Sequence, residues 1–263
     1  GLAGKIAPAL RSNDILGRIR ADVAWATGLS LDTPVAVGIH DSNASLYPYV
    51  LGRRSPFAVV STGTWVVSMA VGGERVALDP SRDTLVNVNA LGNPVPSARF
   101  MGGREFEAIR AGSEAIPDDT DRASVLREGL MLLPAVEPGS GPFPNRKMRW
   151  TTNPATEGQR LAALSFYLAL MTKVSLDLIG ARGPVIVEGP FARNPLYLQM
   201  LAATCPAGVE IATSATGTSA GAAMLCIGAA PSPSTREIAR PADQPMLADY
   251  ASRWHELVDQ TAG

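Results

Sequence analysis

The chain has 263 residues, of which 46% are hydrophobic and 18% are charged. This composition is typical of a globular protein and allows one large core or two modest ones. Because the formal net charge is −1 and the basic residues are scattered, neither a nucleic-acid groove nor an anionic membrane surface is indicated. The cysteines Cys205 and Cys226 are too few for a disulfide framework or a zinc site, so we expect reduced thiols in a cytoplasmic protein.

The first fifty residues predict a short strand between two helical or irregular segments. Residues 6–28 form a helical or loop segment that ends in a glycine. Residues 34–39 are apolar and partly β-branched, which is typical of a buried strand. Asp41 lies just beyond this strand, and residues 42–46 can begin a helix that Pro48 then disturbs.

The middle of the chain is rich in strand signals. Two β-rich runs within residues 57–71 flank a small turn with glycine and predict a hairpin. Residues 84–91 and 95–101 predict further strands of the same sheet, and a helix follows over residues 104–112. The sequence therefore predicts a largely antiparallel region ahead of the next helices.

The C-terminal half alternates helices and strands. Thr156 and Gln159 make a capping box for an apolar helix, which carries Lys173 and Asp177 and is predicted to be a core helix rather than a membrane span. The further elements are strand 184–187, helix 195–203, strand 208–212, helix 217–228 and helix 248–258. This alternation predicts an α/β fold with a mixed sheet flanked by helices.

Three loops place polar or small residues at the ends of predicted strands, where ligands of open α/β sheets bind. The first loop is residues 38–45. In it, Asp41 is placed to accept the proton of an alcohol, and a kinase that phosphorylates an alcohol requires such a base. A plain helix cap explains the same residue, because Asp is a favoured N-cap. The second loop is Ser61-Thr62-Gly63-Thr64, whose N–H groups and hydroxyls suit phosphate oxygens or simply a hairpin turn. The third, residues 188–194, suits a flat ring beside Asn194 or is an ordinary connecting loop.

Several motifs in the same order resemble the carbohydrate kinases of the FGGY family. The segment 34–44 resembles the family's glycine–aspartate motif, and Asp41 precedes Thr64 by 23 residues, close to the separation in the family. Residues 100–106 resemble the family's next glycine-bearing helix start, and residues 185–194 its adenosine-binding strand and loop. The resemblance continues into the helix near residues 214–223, so it covers roughly residues 1–230.

This resemblance implies an actin-like, ribonuclease-H-like ATPase fold. Residues 1–54 would be the tail of the N-terminal domain, and residues 55–263 the C-terminal, ATP-binding domain. It also implies ATP and Mg²⁺ as cofactors and a small sugar as substrate. The implied site residues are Asp41 as the general base and a sugar contact, His40 as a sugar contact, Thr64 at the β- and γ-phosphates, Gly103 near the phosphates or ribose, and Gly189 and Asn194 at the adenosine.

The sequence departs from the family pattern in two places. Pro190 stands where the family has a second glycine, and it lacks the backbone donor. The family's Asp-x-Gly-Thr phosphate loop does not occur in the sequence, which begins at Gly1 without methionine, so we expect a piece of a longer protein that is incomplete for catalysis by itself. His40 and Trp65 are most similar to rhamnulokinase-like members, which implies a ketose of the deoxyhexulose or pentulose class.

Two other functions stay open on the sequence. The first is a non-catalytic, nucleotide-binding member of the same fold. The second is a serine hydrolase, because Gly217-Thr218-Ser219-Ala220-Gly221 matches a nucleophile elbow. Asp243 or Asp249 and then His255 follow Ser219 in the order that such a triad requires. The sequence leaves the oligomeric state open, with a homodimer among the options.

Overall fold

The computed structural model of the protein describes residues 3–213, 217–227 and 233–260. The chain forms two compact units. The first comprises Gly1–Arg53, Val88–Pro94 and Thr216–Pro233, and the second comprises Arg54–Asn87, Val95–Ala215 and Ser234–Gly263. These units are defined by spatial contacts, and the domain boundary between residues 54 and 55 stays a prediction.

The second unit is built on a mixed sheet that has seven strands in the described residues, in the order β11-β10-β9-β3-β4-β6-β5. The strands are β3 (Phe57–Thr62), β4 (Val66–Val71), β5 (Thr84–Val88), β6 (Pro94–Phe100), β9 (Val185–Glu188), β10 (Val209–Ala212) and β11 (Thr235–Glu237). β3 pairs antiparallel with β4 and parallel with β9, which joins the hairpin region to the α/β region in one sheet. The predicted hairpin and mixed sheet are therefore confirmed.

Helices cover this sheet, as predicted. They are α3 (Gly102–Arg110), α4 (Asp119–Glu128), α5 (Glu157–Leu178), α6 (Pro195–Thr204) and α8 (Gln244–Gln260), and a small separate sheet pairs β7 (Leu132–Leu133) with β8 (Arg149–Trp150). α8 is fixed over the core by the indole of Trp254, which donates a hydrogen bond to the carbonyl of Leu132 at 2.8 Å. The sequence did not indicate α4 or the edge strand β11.

α5 is the central helix of the core. In length and composition it could cross a membrane, but 83% of its most apolar window is buried inside the protein, which confirms the predicted core helix. The Thr156 hydroxyl caps it by accepting a hydrogen bond from the Gln159 N–H at 3.0 Å. The Gln159 side chain accepts from the N–H of Ala155 rather than of Thr156, so the predicted capping box is only half formed.

The first unit contains β1 (Ile15–Arg18), α1 (Ala21–Thr27), β2 (Pro34–Ala36), α2 (Asp41–Gly52) and α7 (Gly217–Ile227). The strand predicted over residues 34–39 is shorter than expected, and the prediction that it is buried is wrong. Within the described residues of this unit it pairs only with β1, which leaves Val35 40% exposed. The helix after Asp41 also extends further than predicted, because α2 continues through Pro48.

Candidate active site

A cavity of about 670 Å³ opens in the second unit, within the size range of small-molecule sites. Three segments form it: the turn between β3 and β4, the first half of α3, and the loop between β9 and α6. Its lining residues are Gly63, Thr64, Gly103, Arg104, Phe106, Glu107, Pro190, Phe191, Arg193 and Asn194. The structure thus brings together three of the residues expected at ATP, namely Thr64, Gly103 and Asn194.

Gly103 allows the start of α3 to lie directly against the β3–β4 turn. Its N–H donates a hydrogen bond to the carbonyl of Thr64 at 3.2 Å, and a Cβ at this position would lie only 2.1 Å from the carbonyl oxygen of Gly63. Any larger residue would push the helix away from the turn. The positive end of the helix dipole therefore lies beside Thr64, and this arrangement favours an anion.

Gly189 does not line the cavity but shapes its wall. Its φ of +84° suits glycine, and a Cβ would lie 2.0 Å from the carbonyl oxygen of Thr62. The buried Thr62 hydroxyl donates to the carbonyl of Glu188 and accepts from the N–H of Phe191 at 3.1 Å. Thr62 therefore links the turn predicted to bind phosphate to the loop predicted to bind adenosine. The sequence did not predict this structural role of Thr62, because the hydroxyls of Thr62 and Thr64 fit the turn over residues 61–64 equally well.

Asn194 lines the cavity and also caps α6. Its Oδ1 accepts from the N–H of Tyr197 at 3.1 Å, and its Nδ2 donates to the Ser165 hydroxyl at 2.9 Å. Pro195 follows at the first helical position, where its missing N–H is not needed. The amide of Asn194 is thus held by protein groups on both sides.

Glu105 is a fully buried carboxyl on α3, next to the cavity-lining residues of that helix. It accepts hydrogen bonds from the N–H of Glu137 at 3.2 Å and from the hydroxyl of Tyr167 at 3.1 Å. Burial raises the pKa of Glu105 to about 7, because desolvation disfavours its charged form more than these hydrogen bonds favour it. No sequence pattern indicated this group, which becomes buried only by tertiary packing.

Asp41 lies in the first unit as the first residue of α2, with His40 as the N-cap residue. Asp41 is therefore not the N-cap residue of α2, as the simple capping role requires. Its Oδ1 nevertheless accepts a hydrogen bond from the N–H of Ser42 at 2.6 Å. The Nδ1 of His40 lies 2.8 Å from the same oxygen, and the Asp41 side chain is 76% exposed. The carboxylate is thus held near the helix N-terminus, where a negative charge is stabilised, and it is accessible.

Two residues of the triad that the serine hydrolase alternative requires, Asp243 and His255, have partners outside that triad. Asp243 makes an ion pair with Arg122 at 2.7 Å, and His255 packs edge-on against Trp254 with 5.1 Å between ring centroids. Across the described parts of the chain, no hydrogen bond joins His255 to either aspartate of the expected triad. Residues 214–216, which precede the motif at residues 217–221, lie outside the described residues.

In residues 3–213, 217–227 and 233–260, there is no group of three or more His, Cys, Asp or Glu side chains that could hold a metal ion. Cys205 and Cys226 are both free thiols, the first buried and the second exposed.

The mixed sheet with its flanking helices defines an actin-like ATPase fold, and comparison with solved structures supports this class. A carbohydrate kinase from Novosphingobium aromaticivorans is 37% identical, with a TM-score of 0.81 over 97% of this chain and 59% of that one. A xylulose kinase from Rhodospirillum rubrum, 18% identical, has a TM-score of 0.71 over 97% of this chain and 57% of that one. A ligand-bound xylulose kinase from Lactobacillus acidophilus, 13% identical, has a TM-score of 0.76 over the same shares.

Residues 54–236 match the family described as carbohydrate kinase FGGY, C-terminal domain. The chain therefore belongs to the FGGY carbohydrate kinase family. It spans 57% to 59% of the length of the three kinases above. A search of curated proteins found no match.

Proposed function

We propose that the full-length protein transfers the γ-phosphoryl group of ATP to a hydroxyl of a sugar, with Asp41 as the general base. The observation that carries this proposal is the exposed Asp41 carboxylate, held at the start of α2 by the Ser42 N–H in a member of a carbohydrate kinase family. A general base must be accessible to the substrate hydroxyl, and the exposed Asp41 carboxylate has this property.

In this mechanism Asp41 accepts the proton of the sugar hydroxyl as the hydroxyl oxygen attacks the γ-phosphorus. The bond from that phosphorus to the bridging oxygen of ADP breaks, and the products are a sugar phosphate and ADP. His40 contacts the sugar in this proposal, and its Nδ1 lies 2.8 Å from the Asp41 carboxylate. A base of this kind contributes roughly 10²- to 10⁴-fold to the rate.

ATP would be held by Thr64 and Gly103 at its phosphates and by Gly189 and Asn194 at its adenosine. The cavity suits this group in volume and in the helix start beside Thr64, which favours an anion. Mg²⁺ binds kinase sites largely through the nucleotide phosphates and one or two carboxylates, and when bound it neutralises charge that develops on the transferred group.

The proposed acceptor is a ketose of the deoxyhexulose or pentulose class. The support is the sequence resemblance of His40 and Trp65 to rhamnulokinase-like kinases. A phosphorylation screen of ketoses against glycerol and aldoses, with the full-length protein, addresses this class directly. Phosphorylation of glycerol in preference to every ketose would contradict it.

Asp41→Asn in the full-length protein tests the base. We expect kcat for sugar phosphorylation to fall by about 10²- to 10⁴-fold, while ADP binding stays unchanged. Asp22→Asn is a matched control, since Asp22 is an exposed acid in the first turn of α1. Activity of Asp41→Asn near the wild-type rate would overturn the assignment. A wild-type protein that binds ATP but phosphorylates no sugar would favour the non-catalytic alternative.

A further inference from the structure

Three backbone N–H groups of the loop from residue 189 to residue 194 already have hydrogen-bond acceptors. Pro190 has no N–H, and the N–H of Phe191 donates to the Thr62 hydroxyl at 3.1 Å. The N–H groups of Ala192 and Asn194 each donate to carbonyls within the loop, both at 3.1 Å. These groups are therefore occupied before any ligand arrives.

Two polar side chains of the cavity, those of Asn194 and Glu107, already have partners as well. Both ends of the Asn194 amide are hydrogen-bonded, to Tyr197 and Ser165. Glu107 can only accept hydrogen bonds and already interacts with Arg110 at 3.3 Å. The Glu107 carboxylate is therefore already engaged with a cation of its own helix before any base arrives.

The remaining wall is apolar and aromatic. The rings of Phe106 and Phe191 are in contact at a tilt of 54°, with 6.0 Å between their centroids, and Pro190 also lines the cavity. Such a wall can contact the flat face of a base, whatever hydrogen-bonding groups the base carries on its edge.

Two cationic side chains line the cavity, Arg104 and Arg193. Arg104 makes an ion pair with Glu137 at 3.1 Å. The exposed Arg193 guanidinium makes no ion pair or hydrogen bond with any residue that the structure describes. A planar guanidinium stacks readily on a flat ring, and here no carboxylate competes for it.

We infer that this cavity holds a purine base by its faces, between the Arg193 guanidinium and the apolar wall of Phe106, Phe191 and Pro190, and leaves the edge of the base unread. The inference rests on the proposed nucleotide binding and adds the mode of base recognition. It follows that the kinase accepts guanine nucleotides as well as adenine nucleotides.

Calorimetric titration of the full-length protein with adenosine and with ADP tests the role of Arg193. We expect Arg193→Leu to weaken the binding of both ligands by a similar factor, about five- to thirtyfold, because both carry the base. Arg193→Lys keeps the charge but loses the planar group, so it should recover only part of the adenosine affinity. Arg182→Leu removes an exposed charge outside the cavity, where Arg182 pairs with Glu74, and serves as the control.

The ratio of kcat/KM for ATP to that for GTP tests whether the edge of the base is recognised by hydrogen bonds. A site built to hydrogen-bond its substrate rejects an analogue by about 10⁴- to 10⁵-fold, so we expect a ratio within about tenfold here. A preference for ATP above a hundredfold would overturn the inference. So would an Arg193→Leu variant that loses ADP affinity but keeps adenosine affinity, since Arg193 would then contact a phosphate.

These outcomes are distinct from failure of the proposed function. If the wild-type protein binds neither ADP nor adenosine, both the kinase proposal and this inference fail. If it binds both ligands and Arg193→Leu changes neither affinity, only the inference fails. Arg193 is exposed, so its variants should unfold at the wild-type temperature, and the same samples can be checked for this.

Discussion

The carbonyl oxygen of Ala44 lies so close to Gly221 that a Cβ on Gly221 would be only 1.9 Å from it. In an ordinary helix this oxygen would accept a hydrogen bond from the N–H four residues later, but that residue is Pro48, which has none. The same region of contact includes a hydrogen bond between the hydroxyls of Ser45 and Thr218 at 2.7 Å. The glycine of the supposed nucleophile elbow is thus explained by close packing of α7 on α2, the helix that begins with Asp41.

Gly221→Ala should therefore destabilise the protein by about 1–3 kcal/mol, measured by urea denaturation. The direction is informative, because alanine in an exposed helix position stabilises by roughly 1 kcal/mol relative to glycine. Ser219→Ala, at an exposed position of the same helix, is the control and should stay within about 0.5 kcal/mol of wild type. A Gly221→Ala variant as stable as wild type would show that α7 does not need this close approach.

Substitutions of Thr62 and Thr64 should have different effects, the first on the stability of the protein and the second on nucleotide binding. Thr62→Val leaves the buried N–H of Phe191 without its acceptor, so we expect a loss of about 1–3 kcal/mol in the free energy of unfolding. Thr64→Val changes an exposed hydroxyl and should alter stability by no more than about 0.5 kcal/mol. If Thr64 contacts the phosphates, its variant should instead raise KM for ATP. Equal stability of the two variants would argue against the Thr62 contact.

Local patterns predicted much of the fold. The β3–β4 hairpin, α5 and the alternation from β9 to α7 each have a strong periodicity or a glycine at the turn. α4 was missed because it has few apolar residues, and its capping box pairs Asp118 with Asp121 rather than with the more usual Glu or Gln. The exposure of β2 depends on what covers it, and periodicity carries no information about that.

The site was predictable to a smaller extent. Motifs that occur in the order typical of the family predicted Thr64, Gly103 and Asn194 as site residues, and all three line one cavity. The structural role of Thr62 depends on Glu188, 126 residues away in sequence, and the second contact of Asn194 depends on Ser165. Such partners become visible only when distant segments are placed side by side.

Asn194 should contribute to stability even without nucleotide. Asn194→Ala removes the N-cap of α6 and the contact with Ser165, so the ligand-free protein should lose about 1 kcal/mol or somewhat more. Asn194→Asp keeps the capping oxygen and should recover most of this loss. Thermal unfolding of the three proteins in the absence of nucleotide measures the effect. Identical midpoints would mean that the side chain serves the ligand alone.

Glu105 should make stability depend on pH near neutrality. Burial raises its pKa to about 7 from the ordinary value of 4.5, so between these values the folded protein binds more protons at this site than the unfolded chain does. Stability from this group is therefore fully present below about pH 4.5 and declines as the pH rises towards 7. The shift corresponds to about 3 kcal/mol in total.

Glu105→Gln tests this sign, since glutamine stays neutral and can still accept from the N–H of Glu137. Its free energy of unfolding, relative to wild type, should become more favourable by about 3 kcal/mol from pH 4.5 to pH 8. Glu128→Gln is the control on an exposed carboxylate, whose pKa is lowered by hydrogen bonds from Ser124 and Arg127, and it should show no such gain above pH 5. If wild type and Glu105→Gln have parallel stability curves over this range, the carboxyl is already ionised, and the strongly desolvated site inferred for it would be wrong.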